Sequence, residues 1–262
     1  MTNLFDLTGK RAMITGATHG LGMAMANALA EAGASLVITG FQEDLVNAAL
    51  ETYRSRGFTA SSELFDITDE PAAAEAIQRV ERDLGPIDIL INNAGIIKRV
   101  SMRDMPVEDF RKVIDVDLTG AFIVSRQVVE GMIKNGGGKI INICSMMSEL
   151  GRDSVGAYAA AKGGLKMLTR SLATEWARFN VQVNGIGPGY FATEQTAPIR
   201  TDGHPFNDFI LSRTPAGRWG DPSDLAGTAV FLSSKASDFV NGQIVYVDGG
   251  ILATIGRPSS ER

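Results

Sequence analysis

Three side chains in the middle of the chain have the types and spacing to handle a hydroxyl proton: Ser145, Tyr158 and Lys162. Tyr158 and Lys162 lie four apart on the helical stretch 156–178, so they share one face. Ser145 follows the apolar, β-rich run Lys139–Ile143. In an open α/β sheet ligands bind beyond the carboxyl ends of the strands. A hydroxyl and a phenol–ammonium pair can therefore converge beside a ligand. Oxidising an alcohol by hydride loss needs a base for the hydroxyl proton, and reducing a ketone needs an acid. A free Tyr, with a pKa of about 10, is only ~0.1% ionised at pH 7, and lowering that pKa by about 3 units takes roughly 4 kcal/mol. A nearby ammonium stabilises phenolate. Ser145 can hold the substrate oxygen where charge develops.

A second cluster has the chemistry to hold a dinucleotide. The run Arg11–Thr15 leads directly into Thr15-Gly16-Ala17-Thr18-His19-Gly20-Leu21-Gly22 and an Ala-rich helix. A glycine-rich turn between a strand and a helix lets backbone N–H groups and the helix N-terminus face a pyrophosphate. The spacing is G-x-x-x-G-x-G rather than the G-x-G-x-x-G fingerprint. An acid at the end of the second strand would hold a ribose 2′-hydroxyl, and an Arg would take a 2′-phosphate. Here the sequence reads Thr39-Gly40-Phe41, with neither. The missing carboxylate favours NADP(H) and leaves NAD(H) possible. His19 either meets the phosphate or is a solvated loop residue.

The elements that must carry these groups alternate from end to end. Strands are read at Arg11–Thr15, Ser35–Thr39, Ala60–Phe65, Ile87–Asn92, Lys139–Ile143, Val181–Ile186 and Gln243–Val247, and helices at 20–32, 43–56, 71–84, 106–134, 156–178 and 222–233. Most of the strands are nearly continuous apolar runs, which suits strands covered on both faces. The pattern predicts an α/β fold with a doubly wound sheet and no linker along 1–262. The segment 190–215 is too long for an ordinary connection and is read as a lid. The tail after Ala253 is read as a loose end.

Composition excludes several classes. The 262 residues carry 25 Lys+Arg against 30 Asp+Glu, a net charge of −5, which argues against nucleic-acid binding. The single Cys144 rules out an intramolecular disulfide and a Cys-rich zinc site, and the two histidines, far apart in sequence, argue against a histidine-built metal centre. No apolar run reaches a membrane span, and Met1 to Arg11 lack the apolar core of a signal peptide, so a cytoplasmic location is expected. There are 29 glycines, about 11% against a usual ~7%, and they read first as turns.

Across about 8–252 the sequence resembles the short-chain dehydrogenase/reductase superfamily, through Thr15–Gly22, Asp66-Ile67, Asn92-Asn93-Ala94-Gly95, Ser145, Tyr158-Ala-Ala-Ala-Lys162, Pro188-Gly189 and Val247-Asp248-Gly249-Gly250. The resemblance implies a single doubly wound Rossmann domain over 1–262 with a seven-stranded parallel sheet flanked by helices on both faces, hydride transfer on nicotinamide, and a homotetramer joined partly through helices 106–134 and 156–178. It implies that Tyr158 is the acid/base, that Ser145 positions the substrate oxygen, and that Lys162 lowers the Tyr pKa and bonds the nicotinamide ribose. Asp66 and Ile67 match positions that contact adenine. Asn93, Ala94 and Gly95 match the segment along the adenosine ribose, and Phe191 and Thr193 match positions near the carboxamide. Asp117 stands where many members carry Asn, which holds a water in a proton relay. An ionised carboxylate accepts hydrogen bonds but cannot donate them. It can hold that water and keep Lys162 charged, or merely fix a helix kink.

The runs Asn92–Arg99, Lys139–Leu150, Tyr158–Thr169, Asn184–Tyr190 and Tyr246–Leu252 look like the gluconate 5-dehydrogenase branch. That branch implies interconversion of D-gluconate and 5-dehydro-D-gluconate. A sugar acid needs a carboxylate anchor, for which an Arg fork is suited. Arg99 and Arg152 are the candidates, with Glu149 to accept sugar hydroxyls; each can equally be a solvated loop charge. Trp176 and Trp219 are read as packing or interface residues, and Cys144 as a core residue. The rival substrates are 2-dehydro-3-deoxygluconate-type acids and 3-oxoacyl thioesters. A non-catalytic cofactor-binding sensor is the reading from another class, and Asp117 is its only support.

Overall fold

The computed structural model describes residues 3–256. Seven strands, β1 (Arg11–Thr15), β2 (Ser35–Gly40), β3 (Ala60–Leu64), β4 (Ile89–Asn92), β5 (Gly138–Ile143), β6 (Val181–Pro188) and β7 (Ile244–Val247), form one sheet in the order β3-β2-β1-β4-β5-β6-β7. Every pairing is parallel. The strand order reverses between β1 and β4, and the crevice for a ligand opens there, at the carboxyl ends.

The alternation of side chains along each strand feeds two apolar layers. Ala12 and Ile14 of β1 face one layer, together with Met25 and Leu29 of α1 (Gly20–Glu31), Val46 and Tyr53 of α2 (Glu43–Ser55) and Leu232 of α8 (Ala226–Ser233). Met13 faces the other, with Ile77 of α3 (Glu70–Leu84), Val128 of α5 (Gly120–Lys134) and Leu172 of α6 (Gly156–Trp176). Burial on both sides explains why the strands read as unbroken apolar runs. Asp69 starts α3 by accepting from the Ala72 N–H at 3.0 Å, with Pro71 in the first turn.

Three expected elements differ. The helix read at 106–134 is two: α4 (Val107–Ile114) and α5, joined by a π-helical turn, Asp115–Thr119. No Pro marks the break between α4 and α5, and the Gly120 that follows it is an ordinary first residue of α5 in sequence. The break is visible only in space, where Gly120 lies so close to Ile67 that an added Cβ would come within 2.7 Å of that side chain. The helix read at 222–233 begins with a 3₁₀ turn, Pro222–Leu225, capped by Asp221 as its sequence indicates, and becomes α-helical at Ala226. The segment 190–215 is largely helical. It holds a 3₁₀ stretch, Glu194–Ile199, and α7 (Pro205–Arg213), whose cap is the His204 Nδ1 accepting from the Phe206 N–H at 3.1 Å. Of the tail, Ile255 is tied back by Arg213, whose Nη1 donates to its carbonyl at 2.9 Å, and the rest of the expected loose end, beyond Gly256, lies outside the described residues.

Candidate active site

A cleft of about 1130 Å³ runs along the carboxyl edge of the sheet. One end is made of backbone. Gly16 and Gly20 take left-handed φ values of +65° and +58°, which glycine adopts without strain. A Cβ at Gly22 would collide with the Gly16 carbonyl and with the Asn93 amide. The turn is clamped from three sides. The Asn93 Nδ2 donates to the Thr15 and Gly16 carbonyls at 3.0 and 2.9 Å. The Thr15 hydroxyl accepts from the N–H groups of Asn93 and Ala94, both at 3.0 Å. From α2, the fully buried Tyr53 hydroxyl donates to the Ala17 carbonyl at 2.8 Å. His19 caps α1 with no side-chain bond to the helix, its Nδ1 lying 2.9 Å from the Thr18 hydroxyl. The first-turn amides of α1 thus keep their donors for a ligand. A cradle that a single Cβ would fill, at the start of a helix, fits the pyrophosphate of a dinucleotide.

Most sequence candidates for this end line the cleft: Gly16, Thr18, His19, Gly20, Leu21, Gly22, Phe41, Asp66, Ile67, Asn93, Ala94, Gly95, Gly189, Phe191 and Thr193. Phe41 is 74% exposed at the end of β2, in reach of a stacked base. The Asp66 carboxylate accepts from the Thr68 N–H and hydroxyl, which fixes the loop after β3. Two expectations change. The side chain of Asn93 is spent on clamping the turn. Pro188 ends β6 buried and does not line the cleft. Gly189 is needed for packing as well, because a Cβ there would come within 2.7 Å of the Asp248 backbone.

The other end is made of side chains. Ser145 follows β5, and its hydroxyl accepts from the Met147 N–H at 3.1 Å, closing a 3₁₀ turn, Met146–Ser148. Ser148, which no sequence signal marked, donates to the Lys162 carbonyl at 2.9 Å and accepts from the Ser145 N–H at 3.3 Å. It thereby sets the end of β5 against α6. Tyr158 and Lys162 lie on the cleft side of α6, the ammonium 5.6 Å from the phenol ring centre. The Lys162 Nζ donates to the Ile143 carbonyl at 2.9 Å and lies 3.2 Å from the Asp117 Oδ2. Asp117, 1% exposed, sits inside the π turn, and its Oδ1 accepts from the Ile96 N–H at 2.7 Å. The wide turn brings this carboxylate against Gly95, where an added Cβ would come within 2.9 Å of it.

Charge follows from this geometry. Burial is the largest single influence on Lys162 and pulls its pKa down, but Asp117, Tyr158 and Cys144 together outweigh it and the net direction is upward, so Lys162 stays cationic. Burial pushes the Asp117 carboxyl above its ordinary value, against the pull of Lys162. Burial likewise raises the Tyr158 phenol; Lys162 lowers it and Asp117 opposes that. The expected effect of Lys162 is therefore present, yet in the protein's own field burial exceeds it. Burial also raises the Cys144 thiol to about 11, in keeping with a core residue packed beside Ala121 and Leu165.

Of the substrate candidates, Arg99 and Arg152 line the cleft. Glu149 does not. Its Oε1 accepts from Lys166 and from the Tyr246 hydroxyl, each at 2.6 Å, on the outer side of the 3₁₀ turn. Adjacency to Ser145 in sequence concealed that this turn carries Glu149 away from the cleft. The sequence also missed the far wall, where Tyr190, Phe206 and Arg200 line the cleft. Trp219 is a packing residue here, its Nε1 donating to the buried Asn207 Oδ1 at 2.7 Å.

The family profile described as Enoyl-(Acyl carrier protein) reductase matches residues 16–252. A 2-dehydro-3-deoxy-D-gluconate 5-dehydrogenase of Formosa agariphila is 64% identical over 99% of this chain and 98% of its own. This chain belongs to the short-chain dehydrogenase/reductase family. Another relative in that family, the 5-keto-D-gluconate 5-reductase of Escherichia coli, is 46% identical over 97% of this chain and 100% of its own. A crystal structure of a gluconate 5-dehydrogenase from Burkholderia cenocepacia, in complex with NADP and tartrate, superposes with a TM-score of 0.93 at 44% identity, covering 96% of this chain and 98% of that one. Among the described residues no helix is long and apolar enough to cross a membrane.

Proposed function

We propose that this oxidoreductase transfers a hydride between NADP(H) and a six-carbon sugar acid at C5, with Tyr158 as the acid/base. The observation that carries this reading is the Ser145, Tyr158 and Lys162 set sharing one cleft with a glycine-built dinucleotide cradle. Bound nicotinamide supplies the hydride acceptor or donor. In the oxidative direction the Tyr158 phenolate takes the hydroxyl proton, and in the reductive direction the phenol returns it. Ser145 donates to the oxygen as charge grows there. Lys162 favours the phenolate by its charge, and Asp117 keeps Lys162 protonated and aimed. NADP(H) is preferred, with NAD(H) a possible alternative, since the end of β2 carries no carboxylate to repel a phosphate.

The similar relatives act at C5 of two acids by name, D-gluconate with its 5-keto form and 2-dehydro-3-deoxy-D-gluconate. The 64% identity to the Formosa agariphila protein favours the second as substrate, and gluconate is the other reading. The basic side chains lining the cleft suit either anion. The protein works in the cytoplasm as a homotetramer. Exposed Phe122 on α5 and Met167 on α6 supply apolar surface for subunit contact, and light scattering that returns a monomer would overturn the assembly.

The deciding experiment follows nicotinamide absorbance with both sugar acids, 5-dehydro-D-gluconate and a 3-oxoacyl thioester, each with NADP(H) and NAD(H). Turnover of at least one sugar acid at C5 is expected, faster with the phosphorylated cofactor. Turnover of the thioester alone would replace the reading, and nucleotide binding with no turnover at all would favour a sensor.

A further inference from the structure

We infer that Arg152 is the group that reads the substrate carboxylate, and that a shelf of aromatic rings from 190–215 holds its fork in place for that task. The inference rests on the sugar-acid reading above and deepens it.

Arg152 follows the catalytic strand end and lines the same cleft as Ser145 and Tyr158. Its guanidinium carbon lies 4.9 Å from the centre of the Phe206 ring. Its Nη1 lies 3.4 Å from the Tyr190 hydroxyl. Its Nε is buried and has no hydrogen-bond partner. Buried donors are almost always satisfied, so one left open inside a cleft points to a ligand. With Nη1 turned toward Tyr190, the edge of the fork left without a protein partner is the one formed by Nε and Nη2. That is an edge on which a carboxylate can accept two parallel bonds.

The other cations of the cleft are placed differently. Lys162 serves Asp117 and the Ile143 carbonyl. Arg200 donates to the Thr196 hydroxyl and the Thr193 carbonyl, both at 3.2 Å. Arg99, on the loop after β4, and Lys112, on α4, are exposed. Arg152 alone among these combines partial burial, an aromatic seat and an open fork edge.

The shelf is itself built to stay still. Tyr190 meets both Phe206 and Trp219 edge to face, each at 5.8 Å between ring centres. Trp219 is locked to the buried Asn207 of α7, and the His204 cap fixes the start of that helix. The backbone of Phe206 is thus fixed at the start of α7, and its ring is held between Tyr190 and Arg152. A ring face also attracts a guanidinium and keeps water from one side of it. The residues expected to distinguish a sugar acid from a neutral polyol are thus Arg152 as a binding residue and Phe206 as a positioning residue.

The test compares the sugar acid with D-glucitol, a neutral polyol of the same six-carbon length, in the wild type and in Arg152→Lys, Phe206→Leu and Arg99→Ala. Arg152→Lys keeps a charge and loses the fork. It is expected to lower the ratio of kcat/KM for acid over glucitol by about 10- to 100-fold, in the range of a lost charge-assisted hydrogen bond. Phe206→Leu is expected to lower the same ratio by about 3- to 10-fold, in the range of a partly buried cation–π contact, with the loss in KM for the acid. Arg99→Ala is expected to move the ratio less than either. NADPH titration monitored by nicotinamide fluorescence checks that each variant keeps its fold and its cofactor site. An unchanged ratio in Arg152→Lys overturns the inference, as does an equal loss on both substrates, which is a structural role. A larger effect at Arg99 overturns it too. A wild type that turns over no sugar acid overturns the sugar-acid reading itself, a result distinct from these.

Discussion

The two ends of the cleft are made of different material. The nucleotide end is backbone: two left-handed glycines, a third that admits no Cβ, and a turn clamped by Asn93, Thr15 and Tyr53. The substrate end is side chains: a hydroxyl, a phenol, an ammonium and a guanidinium, carried on a strand end, a long helix and a loop. Backbone donors bind whatever phosphate enters but tolerate no added atom. Side chains tolerate small changes in shape but not in chemistry. The first end can be shared by many substrates, while the second must be specific to one.

The largest effect tests the second half of that contrast. Tyr158→Phe keeps the ring and removes the one atom that exchanges a proton. It is expected to lower kcat by about 10²- to 10⁴-fold while NADPH still binds. Stopped-flow single turnover with fluorescence titration separates the two quantities. A variant with kcat within a few-fold of wild type would place the proton transfer elsewhere.

The second effect tests the first half. Gly22→Ala adds one methyl where the Gly16 carbonyl and the Asn93 amide leave no room. Overpacking of this kind costs about 1–3 kcal/mol, so NADPH affinity is expected to fall by roughly 5- to 150-fold. Calorimetric titration of NADPH measures it. If Gly22→Ala instead lowered kcat at saturating cofactor and left the affinity intact, the division between the two ends would fail.

The same division explains what the sequence made legible. The backbone end is local: strand, glycine turn and helix follow one another within Arg11–Glu31, so type and spacing were enough. Tyr158 and Lys162 were legible for the same reason, being four apart on one helix. The substrate wall is not local. Arg152 meets Phe206 and Tyr190 through a segment whose helix α7 announces itself only by the pair His204-Pro205, a cap followed by a first-turn proline. Asp117 was recognised, but its setting was not, since the π turn that aims it carries no sequence mark. Ser148 and Tyr53 act by single hydrogen bonds to distant backbone, which no periodicity encodes.

Glu149 supplies the smallest effect, and it sharpens where the substrate end stops. Its hydrogen bond from Lys166, and next that from Tyr246, hold its carboxyl below the ordinary 4.5. In the unfolded chain the carboxyl titrates at about 4.3. An acid whose folded pKa is depressed contributes stability that is complete above the unfolded pKa and is lost as pH falls through the folded one. The group is well exposed, so solvent screening limits that contribution to at most a few tenths of a kcal/mol. Glu149→Gln is therefore expected to melt slightly below the wild type at pH 7, with the gap closing as the pH is taken from about 5 down past the depressed folded value. Thermal melts of both proteins across that range read it. Because the carboxylate faces Lys166 and Tyr246 rather than the cleft, KM for the sugar acid is expected to stay the same in this variant. A raised KM would return Glu149 to the substrate wall and move the boundary between the two sides of the 3₁₀ turn.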